Sequence, residues 1–342
     1  MAFTIRRGVN ISHWLSQSRQ RGAARAAWFT EQDVGSIAGL RGAGGGYDHL
    51  RFPVDEVQLW DEEGNQEAEA WDLLDAGLDW CEAAGLRAIV DLHITRSHYF
   101  NDRSGVPVLF TDPAEEATFA DLWRELSERL HGRAKDLVAY ELLNEAVARD
   151  PEDWNRVALT GLKAVRASEP ERTIVLGSNW FNQFHTFERL TVPDDPNLVL
   201  TYHYYSPMLV THHQAMWWPG GFYDGPIHYP GVPVTPEDLA TLDAEQRALF
   251  QDEWNAPFGR EQMIADLAQP LAVRERTYLP LYCGEFGCYE KTPQPLRLAW
   301  YADMMAVFDQ YEIAWANWDY KGSFGIVTAD GQDTGLAEVL LS

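Results

Sequence analysis

Residues 70–93 read AWDLLDAGLDWCEAAGLRAIVDLH. An amphipathic stretch, Ala70 to Ala84, is stopped by Gly85, and a short apolar run, Leu86 to His93, follows it directly. This is one helix handing over to one strand, and the exchange recurs along the chain. The other strand candidates are Ile5 to Ser12, Tyr47 to Val54, Leu137 to Glu145, Thr173 to Trp180, Leu198 to Pro207, Leu281 to Tyr289 and Ala314 to Lys321. The helix candidates between them are Thr30 to Leu40, opened by a Thr cap and an acidic first turn, and Ala114 to Leu130, stopped by Gly132. Four more follow: Pro151 to Ser168, Asn182 to Leu190, Arg260 to Arg276 and Pro295 to Tyr311. Repeated βα units call for a parallel sheet, and eight of them in 342 residues predict the α/β class and a (β/α)8 TIM barrel. No Pro/Gly/Ser-rich linker divides the units, so residues 1–342 read as one domain. One stretch is irregular, a long loop insertion after the sixth strand from Met208 to Gly259, which concentrates Trp217, Trp218, Phe222, Tyr223, His228, Tyr229 and Trp254. Loops of this length inside a domain are usually functional.

Composition narrows the partners. The 27 basic and 52 acidic residues give a formal charge of −25, which repels phosphate backbones and anionic headgroups, so nucleic acid and polyanionic substrates are disfavoured. No run of about 18 apolar residues occurs, which removes the membrane-spanning reading. Three cysteines, Cys81, Cys283 and Cys288, do not make a disulfide framework and leave the redox compartment open. Aromatic content is high, with 14 Trp, 14 Tyr and 15 Phe, and rings of this kind cover the apolar faces of sugars. The first eight residues carry no apolar h-region, which fits a cytoplasmic protein or a secreted one whose signal has been removed. The sequence leaves the oligomeric state unknown.

Placed on the barrel frame, the polar residues gather at one end. Arg51 lies in strand two, His93 ends strand three, and Asn144 and Glu145 end strand four. His203 and Tyr205 end strand six, Glu285 sits on strand seven and Trp318 on strand eight. Active sites of such barrels are built at the strand C-termini, so Glu145 and Glu285, distant in sequence, are expected to face one another across one pocket. Two facing carboxyls suit glycoside hydrolysis. The leaving oxygen must be protonated while negative charge supports the oxocarbenium-like centre, and proximity splits the two pKa values as this requires.

Arg7-Gly8-Val9-Asn10, Arg51-Phe52-Pro53, Asp91-Leu92-His93, Leu143-Asn144-Glu145, His203-Tyr204-Tyr205, Gly284-Glu285-Phe286-Gly287 and Trp318 stand in order along the strands. In these motifs, over essentially its whole length, the chain resembles glycoside hydrolase family 5, the cellulase family of retaining barrel glycosidases. The resemblance implies Glu145 as general acid/base, Glu285 as nucleophile and Asn144 as partner of the sugar 2-hydroxyl. It also implies that Arg51 and Tyr205 hold Glu285 ionised, that His203 contacts the acid/base, and that His93 and Trp318 line the subsite of the sugar being cleaved. Ala146 stands where many members carry proline, a position without chemistry. Trp217 and Trp218 are added from the insertion as substrate-binding rings. The carboxyl separation expected for a retaining mechanism is about 5 to 5.5 Å.

Plainer readings stand beside these. An Asn-Glu pair can be a turn cap, Arg51 an ordinary salt-bridge residue, and a lone histidine a hydrogen-bonded core group. Trp14, Trp60 and Trp180 can be sugar platforms or rim packing. Cys283 and Cys288 are read as small buried hydrophobes, and Asp61-Glu62-Glu63 and Asp194-Asp195 as solvated loops. The expected substrate is a β-glucan or related neutral oligo- or polysaccharide, endo-β-1,4-glucanase action coming first, with β-mannanase, xyloglucanase and exo-β-glucosidase left open. No metal or organic cofactor is implied. From other classes, a metal-dependent barrel hydrolase using His93, Glu145, His203 and Glu285, or a non-catalytic sugar-binding barrel, remain the alternatives.

Overall fold

Eight parallel strands close into a barrel: β1 (Arg7–Asn10), β2 (His49–Asp55), β3 (Arg87–Ile94), β4 (Val138–Glu141), β5 (Ile174–Gly177), β6 (Leu198–Tyr204), β7 (Leu281–Phe286) and β8 (Ala314–Asn317). Closure is made by β1, which pairs in parallel with β2 on one side and β8 on the other. The computed structural model describes residues 2–102 and 105–342. No described helix is long and apolar enough to cross a membrane.

Period-2 alternation divides the strand side chains between two cores. Ile89, Ala139, Val175, Val199, Tyr282 and Ala316, one from each of β3 to β8, form a separate apolar cluster with Phe3. Their neighbours in sequence belong to the large cluster between the strands and the surrounding helices. The helices present apolar faces to that outer layer: Ala68–Ala84 ends on Gly85 with a left-handed φ of 72°, Pro113–Leu130 starts from an Asp112 cap, and Pro151–Arg166 from an Asp150 cap. Glu31–Gly39 is opened by a reciprocal capping box between Thr30 and Asp33. Gln294–Tyr311 completes the ring of long helices.

Several expectations change. No α-helix spans Asn182–Leu190, because Trp180, Phe181 and Asn182 all hold positive φ, and the chain resumes as a 3₁₀ segment at Phe184–Arg189. Arg260 to Arg276 divides into Arg260–Asp266 and Ala268–Thr277, since Pro270 has no N–H to continue the ladder across Leu267. β4 and β5 are shorter than their apolar runs: the ladder of β4 ends at Glu141, and Glu145 takes a φ of 45°, which extended strand does not accommodate. A short helix, Ala23–Trp28, and a two-residue hairpin, Arg41–Gly42 with Gly45–Gly46, precede β2 without a sequence signal strong enough to predict them. The insertion is not an open loop. It folds through short helices at Met208–Thr211, Pro236–Leu239 and Ala244–Leu249 over a small core of Leu209, Tyr223, Ile227, Val234 and Phe250.

Candidate active site

Arg51, inside the barrel on β2, is fully buried and organises the site. A guanidinium out of water must be paired, and here three carboxylates from three other strands surround it. Nε and Nη2 donate to the two oxygens of Glu141 at 2.7 and 2.9 Å, Nη2 also meets Asp91 at 3.0 Å, and Nη1 donates to Glu285 at 2.8 Å. The side-chain oxygens of Asn10 and Asn144 accept from Nη1 and Nη2, each at 2.9 Å. Burial opposes the charge on Arg51, but Asp91, Glu141 and Glu285 more than restore it and raise its pKa well above the usual value.

Glu285 reaches this cluster through an irregularity in β7. The β6–β7 register pairs Tyr202 with Cys283 and His203 with Glu285, so Gly284 is the extra residue of a bulge. A Cβ on Gly284 would stand 2.7 Å from Thr201 Oγ1, so a larger residue here would require the Thr201 side chain to move. Bulges re-aim side chains, and this one turns Glu285 inward next to an already inward residue. Its second oxygen accepts from the Tyr205 hydroxyl at 2.9 Å.

Glu145 lies just past β4, with Oε1 2.9 Å from His203 Nδ1. The other ring nitrogen of His203 is 3.4 Å from Asn182 Nδ2, so that amide donates to Nε2, and Nδ1–H donates to Glu145. Burial, reinforced by Arg51, holds the His203 pKa well below the imidazole range, so the ring is neutral. One oxygen of Glu145, one oxygen of Glu285 and a nitrogen of His203 all lie within 4.8 Å of one another. Burial pushes both carboxyls above their usual range, and the charge on Glu285 pushes Glu145 up further. At Glu285, Arg51 and then His93 oppose the rise. The proton of the pair therefore resides on Glu145 and the charge on Glu285.

A cleft of about 730 Å³ opens over this pair. His93 and Trp318 line it with rings stacked at 5.6 Å and 7°. His93 Nδ1 bonds Asp91 at 2.7 Å, and its Nε2 faces the Gln17 amide at 3.2 Å. The insertion contributes further lining, where Trp217 and Trp218 border the cleft together with His212. Trp217 sits edge-on to Tyr289 at 4.9 Å, and Trp218 packs on Trp254 at 4.9 Å. Arg51 and Asn144 stand behind the lining, both fully buried, and Asn144 Nδ2 has no protein partner. Trp14 and Trp60 are 1% and 2% exposed and pack against Phe29 and Trp71, so neither can stack on a sugar. Trp180 is half-exposed against Phe181, which does line the cleft.

Sequence reading passed over Asn10, Gln17, Asp91, Glu141 and His212 as site residues. A signal existed for Asp91 and Glu141, because a carboxylate within an apolar strand run is buried and needs a positive partner. Gln17 and His212 sit in loops; His212 falls in the insertion expected to wall the cleft, but no local pattern singles out either residue. Glu145, His203 and Glu285 have donor spacing that would admit a cation, but His203 Nδ1–H is committed to Glu145 and the Arg51 charge already lies 2.8 Å from Glu285.

A family model described as cellulase (glycosyl hydrolase family 5) matches residues 16–323. Endoglucanase C of Acetivibrio thermocellus is 29% identical over 322 residues, covering 93% of this chain and 92% of that protein. Cellodextrinase A of Ruminococcus flavefaciens is 26% identical over 311 residues, covering 91% and 84%. Among solved structures, Thermotoga maritima Cel5A in complex with cellobiose superposes with a TM-score of 0.76 at 22% identity over 98% of this chain and 97% of that one.

Proposed function

The chain belongs to glycosyl hydrolase family 5, the cellulase family, and from that premise we propose that it is a retaining endo-β-1,4-glucanase whose single catalytic domain spans residues 1–342. One observation supports the stereochemical part: the nearest oxygens of Glu145 and Glu285 lie within 4.8 Å of each other, with His203 Nδ1 between them at 2.9 and 3.5 Å, a close-set pair that favours the retaining arrangement. An inverting enzyme needs roughly 6.5 to 9.5 Å between its carboxyls to admit a water, whereas direct attack on the anomeric carbon needs about 5 to 5.5 Å.

In this reading Glu285, held as an anion by Arg51 and Tyr205, attacks the anomeric carbon. Glu145 gives its proton to the departing glycosidic oxygen. The C–O bond to the leaving sugar breaks as the ester to Glu285 forms, and Glu145, now the base, takes a proton from the water that hydrolyses that ester. Asn144 Nδ2, a buried donor with no protein partner just behind the cleft lining, is assigned to the sugar 2-hydroxyl. His93 and Trp318 hold the ring being cleaved, and neutral His203 keeps the Glu145 carboxyl turned toward it. The names of the two relatives support a β-glucan substrate, a neutral polymer that a protein of charge −25 does not repel.

The test is a time course by proton NMR on β-1,4-glucan, mannan and xyloglucan, with and without EDTA. The β-anomer should appear first, on glucan, at the same rate with the chelator present. If the α-anomer appears first, the double displacement is wrong, and if a divalent cation is needed to restore activity, the site is a metal centre.

Trp217 and Trp218 are proposed as sugar platforms. Trp217→Ala or Trp218→Ala should raise KM for cello-oligosaccharides by roughly 10-fold or more, the loss of about 1–2 kcal/mol of ring stacking. Activity on a short aryl glycoside should change little. A fall in Tm without a change in KM would assign these rings to packing.

A further inference from the structure

Glu141 lies on β4, four residues before Glu145, and the reaction as written does not use it. It is fully buried and accepts both Nε–H and Nη2–H of Arg51, at 2.7 and 2.9 Å. A fork-to-fork pairing of this kind fixes the plane of a guanidinium as well as its position. With the plane set, Nη1 is presented to Asn10 and Glu285, at 2.9 and 2.8 Å, and Nη2 to Asn144 and Asp91, at 2.9 and 3.0 Å.

We propose that Glu141 is a positioning residue for the glycosidase reaction: its clamp on Arg51 aims one guanidinium nitrogen at Glu285 and the other at Asn144, and its negative charge limits how much of the Arg51 charge Glu285 receives. The inference rests on the reading of Glu285 as nucleophile and Glu145 as acid. The charged groups that face Arg51 are Asp91 from β3, Glu141 from β4 and Glu285 from β7. Tyr282 of β7 also faces this layer, its hydroxyl 3.2 Å from His49 Nε2, and Glu145 and His203 border it on the cleft side. Three carboxylates on one cation leave excess negative charge in a buried layer. Burial pushes Asp91 and Glu141 each up to about 7 against the pull of Arg51, and the Glu141 charge adds to the rise at Glu145.

Above the pH at which Glu141 ionises, a neutral side chain at 141 leaves more of the Arg51 charge to Glu285 and removes a like-charged neighbour from Glu145, so the Glu145 pKa falls. In Glu141→Gln, the basic limb of the kcat/KM profile should move to lower pH by on the order of one unit, while the acidic limb, below the pH at which Glu141 ionises, should stay in place. Because the amide can accept from only one of the two Arg51 nitrogens and the nucleophile is weaker, kcat should fall roughly 10-fold or more. Glu141→Asp keeps the charge but retracts the carboxylate, so kcat should fall while the limbs stay in place.

A folded Glu141→Gln variant with the parental profile and kcat would overturn the proposal, and so would equal shifts in the Gln and Asp variants. NMR of the unmodified protein labelled at the Glu side-chain carboxyls covers the case in which the Gln variant does not fold. Three Glu resonances should be linked: that of Glu141 should inflect near neutrality, and those of Glu145 and Glu285 should each show a step at the same pH in addition to their mutual coupling. Absence of the Glu141-linked step overturns the proposal without reference to turnover, whereas a parent inactive on every β-glycoside would instead remove the glycosidase reading.

Discussion

Glu285→Ala should reduce turnover on the order of 10⁵-fold or more, about 7 kcal/mol of transition-state stabilisation, with the barrel intact. The loss is large because the substitution removes the attacking atom itself. The fold should persist because Arg51 keeps its two bonds to Glu141 and its pairing with Asp91, so no buried charge is left without a partner. Circular dichroism should show a parental spectrum. Azide fits the space vacated by the carboxylate, and with an aryl glycoside it should restore turnover and give the α-glycosyl azide, since it attacks from the face that Glu285 occupied. A 2-fluoro glycoside should label the parent enzyme on Glu285, read by mass spectrometry of the peptide. Label on another residue, or a β-azide product, would reassign the nucleophile.

Glu145→Ala should separate substrates by their leaving groups. Natural β-glucans need the proton and should lose roughly 10²- to 10⁴-fold, about 3–5 kcal/mol, while a dinitrophenyl glycoside should keep its first step nearly unchanged. The pH profile supplies a second readout. Burial and the negative charge on Glu285 raise the Glu145 pKa, so the acid stays protonated above the ordinary carboxylate range, and the basic limb records loss of that proton. The acidic limb records protonation of Glu285, whose rise Arg51 opposes. In Glu145→Ala the basic limb should vanish on the activated substrate and the acidic limb should remain. Equal losses on both substrates would remove Glu145 from the acid role.

The barrel was legible because alternation of apolar runs and amphipathic stretches is a local property. Leu86 to His93 reads as a buried strand whatever it pairs with, and eight such runs separated by helices leave few topologies to consider. Glu145 and Glu285 were legible as a pair for the same reason, since strand order puts the ends of β4 and β7 on one face. Boundaries were less so: the apolar run of β4 continues to Leu143, but the ladder ends at Glu141, and the left-handed backbone at Glu145 depends on its surroundings. The long insertion carried aromatic residues in plain view. Which of them reach the cleft depended on its own small core, which buries Tyr223 and Phe250 and leaves Trp217 half-exposed on the same cleft as Glu285.

By itself, then, the sequence determined the eightfold alternation, the shared end of the barrel and the residue types available there, because these follow from period, length and strand direction. Tertiary structure alone decided that Asp91 and Glu141 share Arg51 with Glu285. Asn10, Asp91, Glu141 and Glu285 come from four strands and meet only after closure of the barrel, and Glu285 joins them through a bulge at Gly284 that no pattern of period two contains. The physical reason is that alternation assigns a side chain to a face, whereas a charge in a buried layer is placed by the partners it must find there.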